Sequence, residues 1–223
     1  MISTKDYTLL PDRRTLETIC KAISVLDAII CQDWQYRYYS FNSKWDVGEK
    51  CLQMRNGHGD EMHVLFRENG SVINGFAHEY EKQDKSALTK GLPSIFHEFI
   101  FGEPITSIGT TFCLWTTEPK NWQVGKLESI EDNSEEMLNI FDGQPQTYID
   151  WATDYYEMDN LPLNIVSKIY QGQPLTKKMV LSLAGKLEDW EQLKKDLSEI
   201  DYPYSFSGNT ENSDKKSKWK FWG

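Results

Sequence analysis

The chain has 223 residues, 39% of them hydrophobic and 26% charged, with a formal net charge of -10. That length can bury a core without metal or disulfide support, and the composition excludes a collagen-like, disulfide-rich or wholly disordered chain. An acidic body repels phosphate backbones, which argues against nucleic acid, and no apolar run approaches the roughly 18 residues of a membrane-spanning helix.

The charge is uneven. The last nine residues carry four lysines and no acid, which leaves 20 basic against 34 acidic residues, or -14, over residues 1–214. The segment Met1 to Tyr7 lacks the apolar core of a secretory signal. Cys20, Cys31, Cys51 and Cys113 form no C-x-x-C pair and sit in apolar contexts. Buried, reduced thiols in a cytoplasmic protein are the expectation.

Residues 13–31 read as the first helix. Leu16, Ile19, Cys20, Ile23, Leu26 and Ile30 recur near a 3.6 period, and Asp27 interrupts that apolar stripe. Asp12 is the expected N-cap. Residues 35–78 read as an antiparallel meander whose first strand, from Tyr36 to Asn42, is rich in aromatic strand formers. Asp46 to Glu49 forms a turn into a strand near 50–55, and Asn56-Gly57-His58-Gly59-Asp60 is turn chemistry. A third strand runs from Glu61 to Arg67, and Asn69-Gly70 predicts a tight hairpin into Ser71–Phe76. A two-residue Asn69-Gly70 turn places Phe66 opposite Ile73 and Glu61 opposite His78.

Pro93 opens a short helical stretch through Ile100, and a further strand is expected at 110–117, paired with Trp122-Gln123-Val124. From about 133 the pattern is helical. Ser134 is the expected cap of the first helix there, Pro145, Pro162 and Thr176 start the next ones, Gly185 breaks the run, and Pro203 stops the last helix. Helix, then strands, then helices predicts an α+β protein with an antiparallel sheet of about five strands. One domain is expected over 1–203, sheet-rich over 1–126 and helical over 133–203, with 204–223 a flexible basic-aromatic tail.

Two constellations carry candidate chemistry. Several of Arg55, His58, Asp60, Glu61, His63, His78 and Glu79 should gather near one end of the meander, where imidazoles and carboxylates supply proton transfer or metal ligation. None matches a catalytic or structural-zinc spacing, so no metal or cofactor is expected. The second is the acidic stretch 128–159. It contains Glu131, Glu135, Glu136, Asp150 and Asp154, interleaved with Trp151 and Tyr155, and no Lys or Arg occurs from 127 to 167. Acids steer a cationic partner and aromatic residues anchor it. The tail Lys215-Lys216-Ser217-Lys218-Trp219-Lys220-Phe221-Trp222 offers weak contact with an anionic membrane surface.

The segments Trp34 to Asn42, Met54-Arg55-Asn56-Gly57, Asn74 to Glu79 and Asp196 to Pro203 together resemble an uncharacterised group of bacterial cytoplasmic proteins. The resemblance spans most of the chain except the tail and implies no catalytic residues. By class, such proteins are similar to immunity proteins that neutralise bacterial toxins. The leading expectation is a non-enzymatic binding module for a basic protein partner. The alternative is a hydrolase or metal-dependent enzyme using the His/Glu cluster.

Overall fold

A computed structural model describes residues 1–80, 84–125, 131–159 and 161–206. The expected tail from 207 onward, Glu128 and residues 126–130 lie outside the described residues.

Helix α1 spans Arg13–Ile30. The Asp12 carboxylate accepts the Arg14 and Thr15 amides at 3.0 and 3.1 Å, which satisfies two of the helix's orphan donors. Its apolar stripe from Leu16 to Ile29 is buried, and so is Asp27.

Six strands among the described residues form one antiparallel sheet in chain order: β1 (Tyr39–Asp46), β2 (Glu49–Arg55), β3 (Glu61–Arg67), β4 (Gly70–Phe76), β5 (Phe112–Thr116) and β6 (Gln123–Val124). The sixth is the two-residue strand that turns back onto Leu114 and Trp115. Both faces of the central strands are covered. Leu52, Met62, Val64, Ile73 and Leu114 face α1 and the C-terminal helices. Cys51, Leu65, Val72, Cys113 and Trp115 face a small cap of Leu92, Phe96, Phe99, Ile100 and Ile105. The cap comes from α2 (Lys85–Leu88), α3 (His97–Phe101), α4 (Ile105–Ile108) and their connections. Burial on both faces explains why β3 to β5 read as continuous apolar runs.

Two expectations are corrected. The first strand begins at Tyr39, not Tyr36, because Trp34–Tyr36 forms a 3-10 turn capped by the Asp33 side chain. Trp34 and Tyr36 are exposed there instead of packing in the core. In the β3–β4 hairpin, Arg67 pairs with Gly70, so Glu68 and Asn69 make the turn. Phe66 then lies opposite Ser71, and Glu61 opposite Phe76. Gly70 belongs to the strand because a Cβ there would come 2.6 Å from the Thr116 carbonyl oxygen and 2.7 Å from the Phe96 ring. Its lack of a side chain serves close packing, not the turn.

The C-terminal region holds α5 (Ser134–Leu138), α6 (Pro145–Tyr155), α7 (Leu163–Tyr170), α8 (Lys177–Ala184) and α9 (Trp190–Ile200). Asn133, with φ 57°, occupies the cap position before α5, and Ser134 is its first helical residue. Past Pro203, β8 (Tyr204–Ser205) pairs in parallel with β7 (Leu175–Thr176), and Phe206 packs edge-on against Trp190. The fold therefore takes in residues 204–206, which the sequence assigns to the tail.

Charged groups inside the core join the layers. Asp27 accepts the Tyr39 amide at 2.7 Å, the Tyr148 hydroxyl at 2.6 Å and the Tyr156 hydroxyl at 3.0 Å. Arg37 donates to the Cys31 and Gln32 carbonyls at the end of α1 and pairs with Asp196 of α9 at 2.8 Å. Gln32 in turn donates to the Asp189 carbonyl and accepts the Glu188 and Asp189 amides. A guanidinium at a helix C-terminus satisfies free carbonyls and meets the negative end of the dipole.

Burial pushes the Asp27 carboxyl up from 3.8 to about 6, against the pull of its three hydrogen bonds and Arg37. The folded state then holds a proton between pH 4 and 6 that the unfolded chain releases. Stability from this group is present below pH 4 and is lost as pH rises through 6. Asp27→Asn keeps an oxygen for the Tyr39 amide and an NH2 that can donate to a tyrosine oxygen. Urea unfolding should show the natural chain gaining about 1 kcal/mol more than Asp27→Asn between pH 7 and pH 5. Asp27→Leu should cost about 3 kcal/mol at pH 7, since three buried donors lose their acceptor. Identical pH profiles for the natural chain and Asp27→Asn would remove Asp27 from this role.

Candidate functional site

Helix α6 lies with Trp151 and Tyr155 against Tyr38, the residue before β1. The Trp151 and Tyr155 rings are stacked at 5.3 Å and 15°, and Tyr38 meets both at 4.7 Å. Tyr39, Tyr148 and Tyr156 extend the aromatic cluster inward toward Asp27. Pro145 at the start of α6 sets φ for the helix, and the i, i+4 spacing places Trp151 and Tyr155 on one face.

On one side of this aromatic ridge lies a cleft of about 880 Å3. Its floor includes Tyr38 and Trp151, and its walls carry Glu131, Asp132, Glu135, Glu136 and Asp154. Among the described residues, Lys5 is the one cationic side chain in that lining. Glu135, Glu136 and Asp154 are exposed. Asp132 is a structural acid. It accepts the Thr4 hydroxyl at 2.5 Å and the Ser134 amide and hydroxyl at 3.0 and 2.6 Å, which fastens the N-terminal segment to the start of α5.

Five of the seven residues assigned to partner binding therefore line one concave surface. Tyr155 lies on the other side of the ridge, beside the Asn56–Asp60 loop, where its hydroxyl is 3.4 Å from the Asn56 carbonyl. Asp150 stands one turn before Asp154, outside the cleft lining, and accepts a hydrogen bond from Gln146 at 2.7 Å. Tyr38 and Lys5 also belong to the lining. The sequence places Tyr38 within a core strand, and nothing local marks Lys5, which is more than 120 residues from the acidic stretch.

The His/Glu constellation assembles in part: Arg55, His58, Asp60 and Glu61 line one concavity beside the Asn56–Asp60 loop and His78 reaches Asp60, while His63 stands apart inside the sheet. His63 faces the sheet's capped side, fully buried, with Nε2 3.2 Å from the Gln53 amide nitrogen. Burial pulls its pKa down to about 4, so the ring is neutral near pH 7. Glu61 pairs in register with Arg55 across the β2–β3 ladder, and partial burial raises its carboxyl. His58 turns back onto the Asn56 carbonyl at 3.1 Å. Glu79 is exposed beside His78.

His78 does find a carboxylate, but from Asp60 rather than Glu61, because the true hairpin register carries it past the end of β4. Asp60 Oδ1 accepts the His78 amide at 2.9 Å and lies 2.7 Å from Nδ1, while Oδ2 accepts the Asn56 side chain at 2.9 Å. This orients one imidazole and latches the β2–β3 loop to the chain leaving β4. Among the described residues, no group of three or more His, Cys, Asp or Glu side chains is placed to hold a metal ion. All four cysteines are free thiols, three of them buried. No helix among the described residues is long and apolar enough to cross a membrane.

The latch predicts a local effect. Asp60→Ala should cost about 1–2 kcal/mol and speed hydrogen exchange at the His78 amide more than at central β3 amides. Equal acceleration at both places, or none at His78, would show that Asp60 does not hold this turn.

No family model, no curated protein and no solved structure matches the chain.

Proposed function

We propose that the protein is a non-enzymatic binding module that takes a basic protein partner in the cleft between α5 and α6. One observation carries the reading: Glu135, Glu136 and Asp154 stand open to solvent around Trp151 and Tyr38 in a single concave surface. A partner arginine or lysine can lay its aliphatic stem on the Trp151 ring while its charged head meets these carboxylates. The aromatic rings supply anchoring contact and the acids supply steering, in a body whose charge attracts a basic partner from a distance. Docking of this kind needs no cofactor, no metal and no proton transfer.

The specific form of the proposal is an immunity-like role in the bacterial cytoplasm, in which the cleft covers the basic surface of a toxin domain. The small acidic α+β build and the resemblance of the strand segments support that form.

The test is affinity capture from a bacterial lysate, washed first at low and then at high salt, with the eluate identified by mass spectrometry. The bait is used in its natural form and as Glu135→Gln, Glu136→Gln, Asp150→Asn, Asp154→Asn combined. These side chains are exposed, so the variant should fold. A basic protein held by the natural chain at low salt, released at high salt and lost from the variant is the expected result. With that protein purified, the variant should associate about tenfold more slowly and with a flatter salt dependence. Equal capture by both baits would overturn the assignment of this surface.

A further inference from the structure

A separate cavity of about 490 Å3 opens at the end of the sheet that carries the β1–β2 and β3–β4 turns. The first turns of α1, the β1–β2 hairpin and the end of β3 wall it around the Phe66 ring. Five cationic side chains meet there: Arg13, Arg14, Lys44, Lys50 and Arg67. Such a gathering is unusual in a chain with a net charge of -10.

Their state differs. Lys50 Nζ lies 2.7 Å from Glu17 Oε1, and Arg67 is paired with Glu49. Those two cations and two acids neutralise each other. Arg13 donates through Nη1 to the Arg67 and Glu68 carbonyl oxygens at 3.0 and 2.6 Å. These bonds fix the guanidinium without cancelling its charge. Arg14 and Lys44 are exposed, and neither has a carboxylate within ion-pair distance among the described residues. Asp46 and Glu68 are also in the lining, and Asp46 Oδ1 accepts the Val47 amide. The Ser43 hydroxyl, also in the lining, is buried and has no hydrogen-bond partner.

We propose that this cavity binds a small organic anion, a carboxylate, sulfonate or phosphate ester with an apolar body. The apolar part lies over the buried Phe66 side chain, and the anionic head turns toward Arg14 and Lys44. The volume falls within the roughly 300–1,000 Å3 typical of small-molecule sites. Elsewhere the acidic body repels such a ligand, and here three cations without an ion-pair partner among the described residues, Arg13, Arg14 and Lys44, outnumber the unpaired carboxylates of Asp46 and Glu68. The inference is independent of the proposed protein-docking cleft, which lies between α5 and α6 and takes cations.

The probe is 1-anilinonaphthalene-8-sulfonate, an aromatic anion whose fluorescence rises in an apolar site. Its neutral counterpart is N-phenyl-1-naphthylamine, which lacks the sulfonate. Both are titrated at low salt into the natural full-length chain and into Arg14→Gln with Lys44→Gln. Both substitutions are at exposed positions, and near-UV circular dichroism verifies the fold. Saturable binding of the sulfonate, weakened about fivefold in the variant and by added salt, is the expected result. The neutral probe should bind more weakly than the sulfonate and be indifferent to the substitutions. No saturable binding of the sulfonate, or equal affinity in both proteins, would overturn the proposal.

Discussion

Asp27 places a carboxylate in the core at the point where helix α1, strand β1 and helix α6 meet. An isolated buried carboxylate is costly, and here three donors meet it: the Tyr39 amide and the hydroxyls of Tyr148 and Tyr156. The satisfied network fixes the height of α6 against the first strand. Arg37 adds a second constraint ten residues along. It closes the end of α1 and holds α9 through Asp196, and Gln32 holds the start of the same helix. Removing one partner of the buried Arg37–Asp196 pair leaves an uncompensated charge, so that pair fixes where α9 sits against the end of α1.

The candidate cleft follows from this arrangement. With Tyr39 held by Asp27, the neighbouring Tyr38 ring turns outward and meets Trp151 and Tyr155. With the N-terminal segment fastened to Asp132 and Ser134 through Thr4, Lys5 comes to the cleft mouth. The cleft is thus built from four parts of the chain that are remote in sequence: the N-terminal segment, Tyr38, Tyr80 and residues 131–154. Its solvent-facing acids sit on a wall held by Asp132, whose oxygens are occupied by hydrogen bonds.

The two concave regions differ in the state of their charges. In the cleft, acids outnumber cations and stand over stacked aromatic rings. In the cavity at the β1–β2 turn, Glu17 and Glu49 are already paired, and the cations left without a carboxylate among the described residues outnumber the unpaired acids Asp46 and Glu68. A chain with one net charge therefore presents two surfaces of opposite selectivity, because local pairing, not total charge, sets the potential a ligand meets.

Much of the architecture was legible locally. Asp12, Pro145, Thr176, Gly185 and Pro203 mark helix boundaries by backbone chemistry that acts within a few residues, and turn residues between apolar runs marked strands β2 to β5. The acidic, aromatic character of residues 131–155 was equally visible, because it is a property of composition. The hairpin register was not. Asn69-Gly70 has strong turn chemistry, yet Gly70 is claimed by the strand, since Thr116 and Phe96 leave no room for a side chain there. That shift of two residues in pairing separates His78 from Glu61 and gives it to Asp60. His63 was likewise unreadable, because its burial depends on which sheet face the cap covers. Asp27 looked like a flaw in an apolar stripe until its three donors, from residues 39, 148 and 156, came into contact. The sequence alone determined fold class, helix limits and charge, which arise from short-range sterics and composition. Tertiary structure decided register, burial and which side chains meet, because those depend on contacts between segments that no local pattern encodes.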